Sequence, residues 1–297
     1  MTSSYNSTKS EVITSDSTIS DYFALMKPRV MSLVIFTAIV GMVIAPGTIH
    51  PIIAIISILC ITIGSGASGV LNMWYDKDID AMMSRTQNRP LVLQKMSSED
   101  ALSFGIIMSF FSVFIIGFAV NVLSAALLLF TILFYIFVYT IYLKRSTPQN
   151  IVIGGLAGAL PPLIGWTSVT GTISIVPLIL VLLIFLWTPA HFWALSLYRA
   201  DDYKNAGIPM MPLIYGDNYT KIQILIYTLL TVLCSFLPFV VGSAGIIYLT
   251  ISIILGIWFI YYSVKLLKDK QNKTAPRMFG YSIFYLAMIF AMIMLDR

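Results

Sequence analysis

Charge is scarce in this chain: 10% of its 297 residues are Asp, Glu, Lys or Arg, where a soluble domain carries about 25%. Cysteine is scarcer still. Cys60 and Cys234 each sit inside an apolar run, and neither a CxxC pair nor a Cys/His ligand spacing occurs. A zinc module and a disulfide framework are therefore excluded, and both cysteines read as small core hydrophobes. No Ser/His/Asp or Cys/His arrangement suggests a protein nucleophile. The first 21 residues have no apolar core of the kind a signal peptide needs, and Glu11, Asp16 and Asp21 argue against a transit peptide. Residues 1–27 read as a disordered cytoplasmic tail, ahead of a single transmembrane domain over 28–297.

Apolar residues dominate, at 58% of the chain with a mean hydropathy of +0.89. Nine stretches are long enough to span a bilayer, near 30–46, 52–71, 102–120, 123–143, 150–167, 174–196, 222–242, 245–264 and 278–295, and none contains Lys, Arg, Asp or Glu. The expected fold is an all-α polytopic membrane protein with nine transmembrane helices. Apart from Arg297, every Lys and Arg falls in the N-terminal tail or in the loops returning to its side, at 72–101, 144–149, 197–221 and 265–277. The positive-inside rule puts the N-terminus and those loops in the cytoplasm. The pI of about 9.1 fits an anionic lipid surface or a phosphorylated substrate better than nucleic acid, because the basic residues are spread through membrane loops.

Two polar clusters interrupt this pattern. Asn72, Asp76 and Asp80 stand four apart at the mouth of the second span, a spacing that lines three oxygen-bearing side chains along one helix face. Acids beside a bilayer are costly unless something positive compensates them, and hard oxygen ligands suit Mg²⁺ shared with a substrate's phosphates. The second cluster, Tyr198 to Asn205, holds Arg199, Asp201, Asp202 and Lys204. Asp201 and Asp202 are adjacent, so a helix separates them by about 100° and one is expected to point inward. Asp78 lies off the first acidic face, as a surface residue or paired with Lys77 or Arg85. Both clusters follow an even-numbered span and are expected to face each other across a central cavity. Such a site would neutralise a diphosphate leaving group, with Asn72, Asp76 and Asp80 as candidates to hold one Mg²⁺ and Asp202 with Asp201 or Asn205 to hold a second. Lys27, Arg29, Arg85, Arg89, Arg199 and Lys204 are the nearby cations, and Arg is favoured for bidentate phosphate recognition.

His191 is the one histidine inside a span, in Trp187-Thr188-Pro189-Ala190-His191-Phe192-Trp193. Pro189 is expected to kink that helix beside a cavity. His191 could ligate haem iron or orient substrate; the alternative is a buried histidine bonded to a neighbouring helix. Trp74, Tyr75, Trp193 and Tyr198 lie next to the clusters and could shield a carbocation, although membrane belts and core packing account for most aromatics.

At these residues the sequence resembles the UbiA superfamily of membrane prenyltransferases, and within it the haem-modifying branch. The resemblance covers nearly the whole chain. It runs through Lys27-Pro28-Arg29, the Asn72/Asp76/Asp80 row, Arg85-Thr86-Gln87-Asn88-Arg89-Pro90 and Lys144 to Gly155. Pro161-Pro162-Leu163-Ile164-Gly165-Trp166, the Trp187–Trp193 string and Asp202-Tyr203 with Ala206-Gly207-Ile208-Pro209 complete it. The resemblance implies nine helices around a laterally open cavity, farnesyl diphosphate as donor, haem B as acceptor and Mg²⁺ as cofactor. It implies farnesyl transfer to a haem vinyl group with water addition, and a haem A synthase or terminal oxidase is the expected assembly partner; the lack of a transit peptide favours a bacterial inner membrane. It carries metal–diphosphate roles to Asn72, Asp76, Asp80 and Asp202, and leaving-group contacts to Lys27, Arg85, Arg89 and Arg199. Two departures stand out: relatives often show two acids four apart where this chain has Asp201-Asp202 and Asn205, and Gln94-Lys95 replaces a Gly-basic pair. Rival readings are an aromatic acceptor such as 4-hydroxybenzoate or a chlorin, a transporter, or an oxidase assembly factor without chemistry.

Overall fold

The structure is a computed structural model that describes residues 17–297. The described chain is helical. A short helix α1 (Ile19–Leu25) meets α2 (Pro28–Val43) at a 59° bend. Then come α3 (Pro51–Tyr75), the short α4 (Lys77–Met82), α5 (Ser98–Ala119) and α6 (Val122–Leu133), which runs on as a π-helix over Phe134–Leu143. The second half holds α7 (Asn150–Ala159), α8 (Pro161–Thr170), α9 (Ile175–Tyr198), α10 (Ala200–Asn205) and α11 (Met211–Cys234). It closes with α12 (Leu237–Val240), α13 (Ile246–Lys268) and α14 (Ala275–Leu295). Eight units are long and apolar enough to cross a membrane on their own, and the bent α1–α2 pair makes up to nine.

The expected tail is corrected in part. Residues 1–16 lie outside the described residues, but Ile19–Leu25 is a helix, held by an N-terminal box in which Thr18 and Asp21 bond each other and by a Lys95–Asp21 ion pair. Leu25 is fully buried with Met73, Leu91, Met96 and Ala101. The chain turns at Lys27, whose φ of 54° is unusual for a residue with a Cβ; Pro28 then fixes the first turn of α2. Pro189 does not break α9, which stays helical throughout, whereas α11 carries an unforeseen non-helical residue at Gly216 (φ 81°, ψ 166°).

Two apolar cores build the bundle. One joins α3, α5, α6 and α8 around Ile61, Ile116, Leu128 and Ile164; the larger joins α9, α11, α13 and α14 around Leu183, Phe259, Tyr285 and Phe290. Side chains pointing outward are apolar too. On α5, Phe110, Phe114 and Phe118 stack in a row on the outer face, which is favourable against lipid tails and unfavourable in water. Many hydroxyls within the spans return their proton to the preceding turn, as Ser57, Thr131, Thr228 and Thr231 do to the carbonyl four residues back, which satisfies these donors inside hydrocarbon. The helices α2 and α8 touch backbone to backbone. A Cβ on Gly41 would strike the Pro162 carbonyl, and one on Gly165 the Ala38 carbonyl.

Candidate active site

The acidic row keeps its register across a helix break. Asp76 (φ −91°, ψ 12°) ends α3 and begins α4, yet the Asp76 amide still bonds the Asn72 carbonyl (3.0 Å) and the Asp80 amide the Asp76 carbonyl (2.8 Å). All three side chains therefore face inward, with relative exposures of 4%, 0% and 3%. Such burial of two carboxylates is tolerable only with cations beside them, and each member of the row has one. Lys27 Nζ donates to Asn72 Oδ1 (2.6 Å), Lys144 pairs with Asp76, and Arg89 pairs with Asp80. Asn72 Nδ2 ties the row together, donating to Asp76 Oδ2 (2.7 Å) and to Thr140 Oγ1 (3.0 Å).

Lys144, Thr140, Tyr135 and Tyr139 reach this site from the π-helical end of α6. Thr140 Oγ1 donates to the Tyr135 carbonyl, five residues back, the hydrogen-bond step of a π-helix. The two tyrosine rings stack at 5.2 Å within the electrostatic reach of Asp76 and Arg85, and Gly154 leaves room for the Tyr139 ring. Sequence reasoning assigned no role to these four. The available signal was a basic pair, Lys144-Arg145, ending a span on the same side as the acids.

The two clusters meet. Asp202 Oδ1 accepts the Ser84 amide (3.2 Å) and Asp202 Oδ2 the Ser84 hydroxyl (2.9 Å), which joins the loop after α4 to α10. Arg199 stands 3.9 Å from Asp202. Of the adjacent acids only Asp202 turns inward; Asp201, Lys204 and Asn205 are exposed. Arg85 and Arg29 are exposed as well, and neither forms an ion pair among the described residues. Asp78 is exposed, one of the two outcomes expected from sequence, but its partner is neither Lys77 nor Arg85: it pairs with Arg145 through two hydrogen bonds of 2.8 Å. That pairing holds the Asp78 carboxyl below its ordinary value of 3.8. Arg145 also lies over the Tyr75 ring (4.9 Å) and 3.6 Å from Asp76. Beside it an open depression of about 630 Å³ is lined by Tyr75, Lys77, Asp78, Val92, Gln94 and Arg145.

Among the described residues no three His, Cys, Asp or Glu side chains converge on a ready-made metal cage. The donor set nevertheless fits a hard cation that takes the rest of its shell from a diphosphate: the amide oxygen of Asn72 and the carboxylates of Asp76 and Asp80, with the buried Asp76 Oδ1 accepting no hydrogen bond.

His191 lies deeper in the bundle, between α9 and α14. Its ring is stacked between Trp187 (4.2 Å, 17°) and Phe279 (4.4 Å, 23°), and Nδ1 is 2.7 Å from Ser282 Oγ. Trp193, expected beside the clusters, is instead packed in the core edge-on to Tyr227. Cys60 and Cys234 are buried and unpaired, as expected.

Residues 34–289 match the UbiA prenyltransferase family. The chain belongs to that family. It is 58% identical, over 93% of both chains, to a protein of Rickettsia bellii named protoheme IX farnesyltransferase. It is 54% identical to a protein of the same name from Rhizobium johnstonii, over 95% of this chain and 91% of that one. Solved UbiA structures share the fold. Digeranylgeranylglyceryl phosphate synthase aligns with a TM-score of 0.78 at 20% identity, over 93% of this chain and 97% of that one. A UbiA homologue from Archaeoglobus fulgidus bound to GPP and Mg²⁺ aligns with a TM-score of 0.62 at 17% identity, over 92% and 99%.

Proposed function

We propose that this protein transfers the farnesyl group of farnesyl diphosphate to a vinyl group of haem B, with addition of water, to give haem O. The reading rests on one observation: a buried row of Asn72, Asp76 and Asp80 whose members are each held by a different cation, in a chain more than half identical to proteins named for this activity.

The chemistry needs charge neutralisation more than a nucleophile. When the allylic C–O bond breaks, its electron pair leaves with diphosphate, and the cost of that charge in a dry site is the main part of the barrier. Lys27, Arg89 and Lys144 are donors, and the diphosphate oxygens would offer them acceptors in place of the Asn72 amide oxygen and the Asp80 and Asp76 carboxylates that they now hold. Asp76 and Asp80, with Asn72, would hold Mg²⁺, which supplies further neutralisation of the leaving group. Asp202 would close the site through Ser84, and Arg199 and Arg85 would add positive charge at its mouth. The stacked Tyr135 and Tyr139 rings offer π-faces to the allylic cation. The vinyl group then forms the new carbon–carbon bond, and water takes the resulting porphyrin-adjacent cation and loses a proton. Apolar helices would hold the farnesyl tail at about 0.8 kcal/mol per buried methylene.

The protein is a multi-pass membrane protein; the distribution of Lys and Arg supports a cytoplasmic N-terminus and active-site mouth in a bacterial inner membrane. A haem A synthase or terminal oxidase is the chemically sensible consumer of the product. The test is a product assay with purified protein, haem B, farnesyl diphosphate and Mg²⁺, read by liquid chromatography and mass spectrometry. A haem heavier by one farnesyl group plus water, lost on chelation, is expected. Unchanged haem from folded protein would refute the reading.

A further inference from the structure

Each member of the acidic row presents an oxygen that a cation already holds. Asn72 Oδ1 accepts from Lys27 Nζ (2.6 Å), Asp76 Oδ2 from Lys144 Nζ and from Asn72 Nδ2 (2.7 Å), and Asp80 Oδ2 from Arg89. The other Asp76 oxygen, Oδ1, is buried, accepts no hydrogen bond and has the Arg145 guanidinium 3.6 Å away. Cations also outnumber carboxylates here. Lys27, Arg89 and Lys144 face Asp76 and Asp80, while Arg145 is matched by Asp78 and Arg199 by Asp202. A row shaped for a bare dication would have the opposite balance, since the charge of the ligand set tunes its affinity.

These cations cannot step aside into water. The side chains of Lys144 and Arg89 are 15% and 19% exposed, against 0% and 4% for Asp76 and Asp80. Lys144 follows the π-helix and its amide bonds the Tyr139 carbonyl (2.9 Å), so its backbone is fixed and only the side-chain stem can turn. Lys27 lies within electrostatic reach of both Arg89 and Lys144, so a cation pushed off its carboxylate meets a like charge instead of a partner. A dication that took Asp76 or Asp80 alone would strand such a charge, and a buried charge without a partner is strongly unfavourable. A diphosphate removes the obstacle. Its oxygens take the hydrogen bonds that Lys144 and Arg89 give up, and its charge offsets that of the dication.

We infer that the site is an anion site first and a metal site second: Lys144 and Arg89 bar Mg²⁺ from Asp76 and Asp80 until a diphosphate draws them away. A diphosphate group therefore binds without metal, and a divalent cation binds poorly without diphosphate. This rests on the reading of a diphosphate donor and not on the acceptor. It makes the two cations the residues that set the order of loading, beyond their contacts to the leaving group.

The test uses the full chain in a non-ionic detergent with neither haem nor farnesyl diphosphate, so that loading is read apart from transfer. Inorganic pyrophosphate in EDTA, followed by calorimetry, reports the anion alone. Mn²⁺ shares the oxygen ligands of Mg²⁺. The loss of its free-ion electron paramagnetic resonance signal reports the metal with and without pyrophosphate, against a protein-free control for the complex the two form in solution. Wild type is expected to bind pyrophosphate in EDTA, and to bind Mn²⁺ about tenfold or more tightly once pyrophosphate is present. Lys144→Met should reverse the preference, binding Mn²⁺ alone about tenfold more tightly than wild type and pyrophosphate alone about tenfold more weakly. Arg89→Met should do the same through Asp80, and serves where Lys144→Met does not fold. A purely structural role predicts that both ligands weaken together in the variants. That result, or a wild-type Mn²⁺ affinity that pyrophosphate does not change, would overturn the inference. Pyrophosphate-first loading in a protein that leaves haem unchanged in the product assay would instead refute the transferase reading and leave the order of loading standing.

Discussion

Asp202 and Ser84 lie 118 residues apart in the chain and join α10 to the loop after α4 through two hydrogen bonds on one carboxylate. The carboxylate of the second motif thus holds the segment that carries Arg85 and Arg89. Removing a hydrogen bond to a charged group costs about 1.5–3 kcal/mol when water is excluded and less at a half-open site. Ser84→Ala keeps the backbone bond and should lower turnover by about threefold to tenfold. Asp202→Ala removes both and should cost more, with Asp202→Asn between. Steady-state turnover of the three variants checks the order. Full activity in Ser84→Ala beside an inactive Asp202→Asn would show that Asp202 acts on the substrate directly.

The Asp76–Lys144 pair is buried, with side-chain exposures of 0% and 15%. Asp76→Asn should reduce turnover by about 10²–10³-fold, the usual loss when one charge-stabilising group is removed. Lys144→Met leaves a buried carboxylate whose nearest remaining cation is Arg145 at 3.6 Å, and breaking such a pair from one side costs about 3–5 kcal/mol. The double variant Asp76→Asn/Lys144→Met should recover much of that stability and none of the activity. Thermal denaturation in detergent and a turnover assay, taken as a double-mutant cycle, separate the two effects.

How far the site could be read from sequence depends on how local its geometry is. Asn72, Asp76 and Asp80 were legible because four-residue spacing means one helix face, and the break at Asp76 left that spacing intact. The nine apolar stretches were legible for the same reason, although the first becomes a bent pair where Lys27 takes a left-handed conformation. Lys144 and Thr140 were not legible as site residues. Their direction depends on ten residues of π-helix, in which each turn holds more residues than the 3.6 that a periodicity argument assumes. Ser84 gave no signal either, since its partner is set by tertiary packing alone. Nor did Arg145 as the partner of Asp78, which lies 67 residues away.

That last pair makes a pH prediction. Two hydrogen bonds from Arg145 hold the Asp78 carboxyl below 3.8. A group whose value is depressed on folding contributes stability above its unfolded value and loses it as the pH falls through the folded one. The pair is therefore fully formed from pH 5 upward, and Asp78→Asn should shift the melting temperature by the same small amount at pH 6 and pH 8. Asp78 is more than half exposed, so the expected contribution is about 0.5 kcal/mol. The difference between wild type and variant should shrink only below pH 3.8. A variant effect that changes between pH 6 and pH 8 would show that another group titrates with this pair.

Glycine substitutions on two helices should have opposite signs. Gly158 on α7 has open space where a Cβ would stand, so Gly158→Ala should stabilise by about 0.5–1 kcal/mol, through lower backbone entropy in the unfolded chain and better helix propensity. Gly41 on α2 has the same helical backbone, but its Cβ would fall on the Pro162 carbonyl of α8. A backbone atom cannot rotate aside as a side chain does, so α2 and α8 must separate, and the reciprocal contact of Gly165 with Ala38 opens with them. The expected cost is about 1–3 kcal/mol or more, the range for inserting a methyl into a packed interface. Because α2 follows directly on Lys27, displacement should also pull the Lys27 ammonium from Asn72, and Gly41→Ala should raise KM for farnesyl diphosphate while Gly158→Ala leaves it unchanged. Melting temperatures in detergent give the first comparison and initial rates against farnesyl diphosphate the second. Equal melting temperatures for the two variants would mean that α2 and α8 do not pack backbone to backbone.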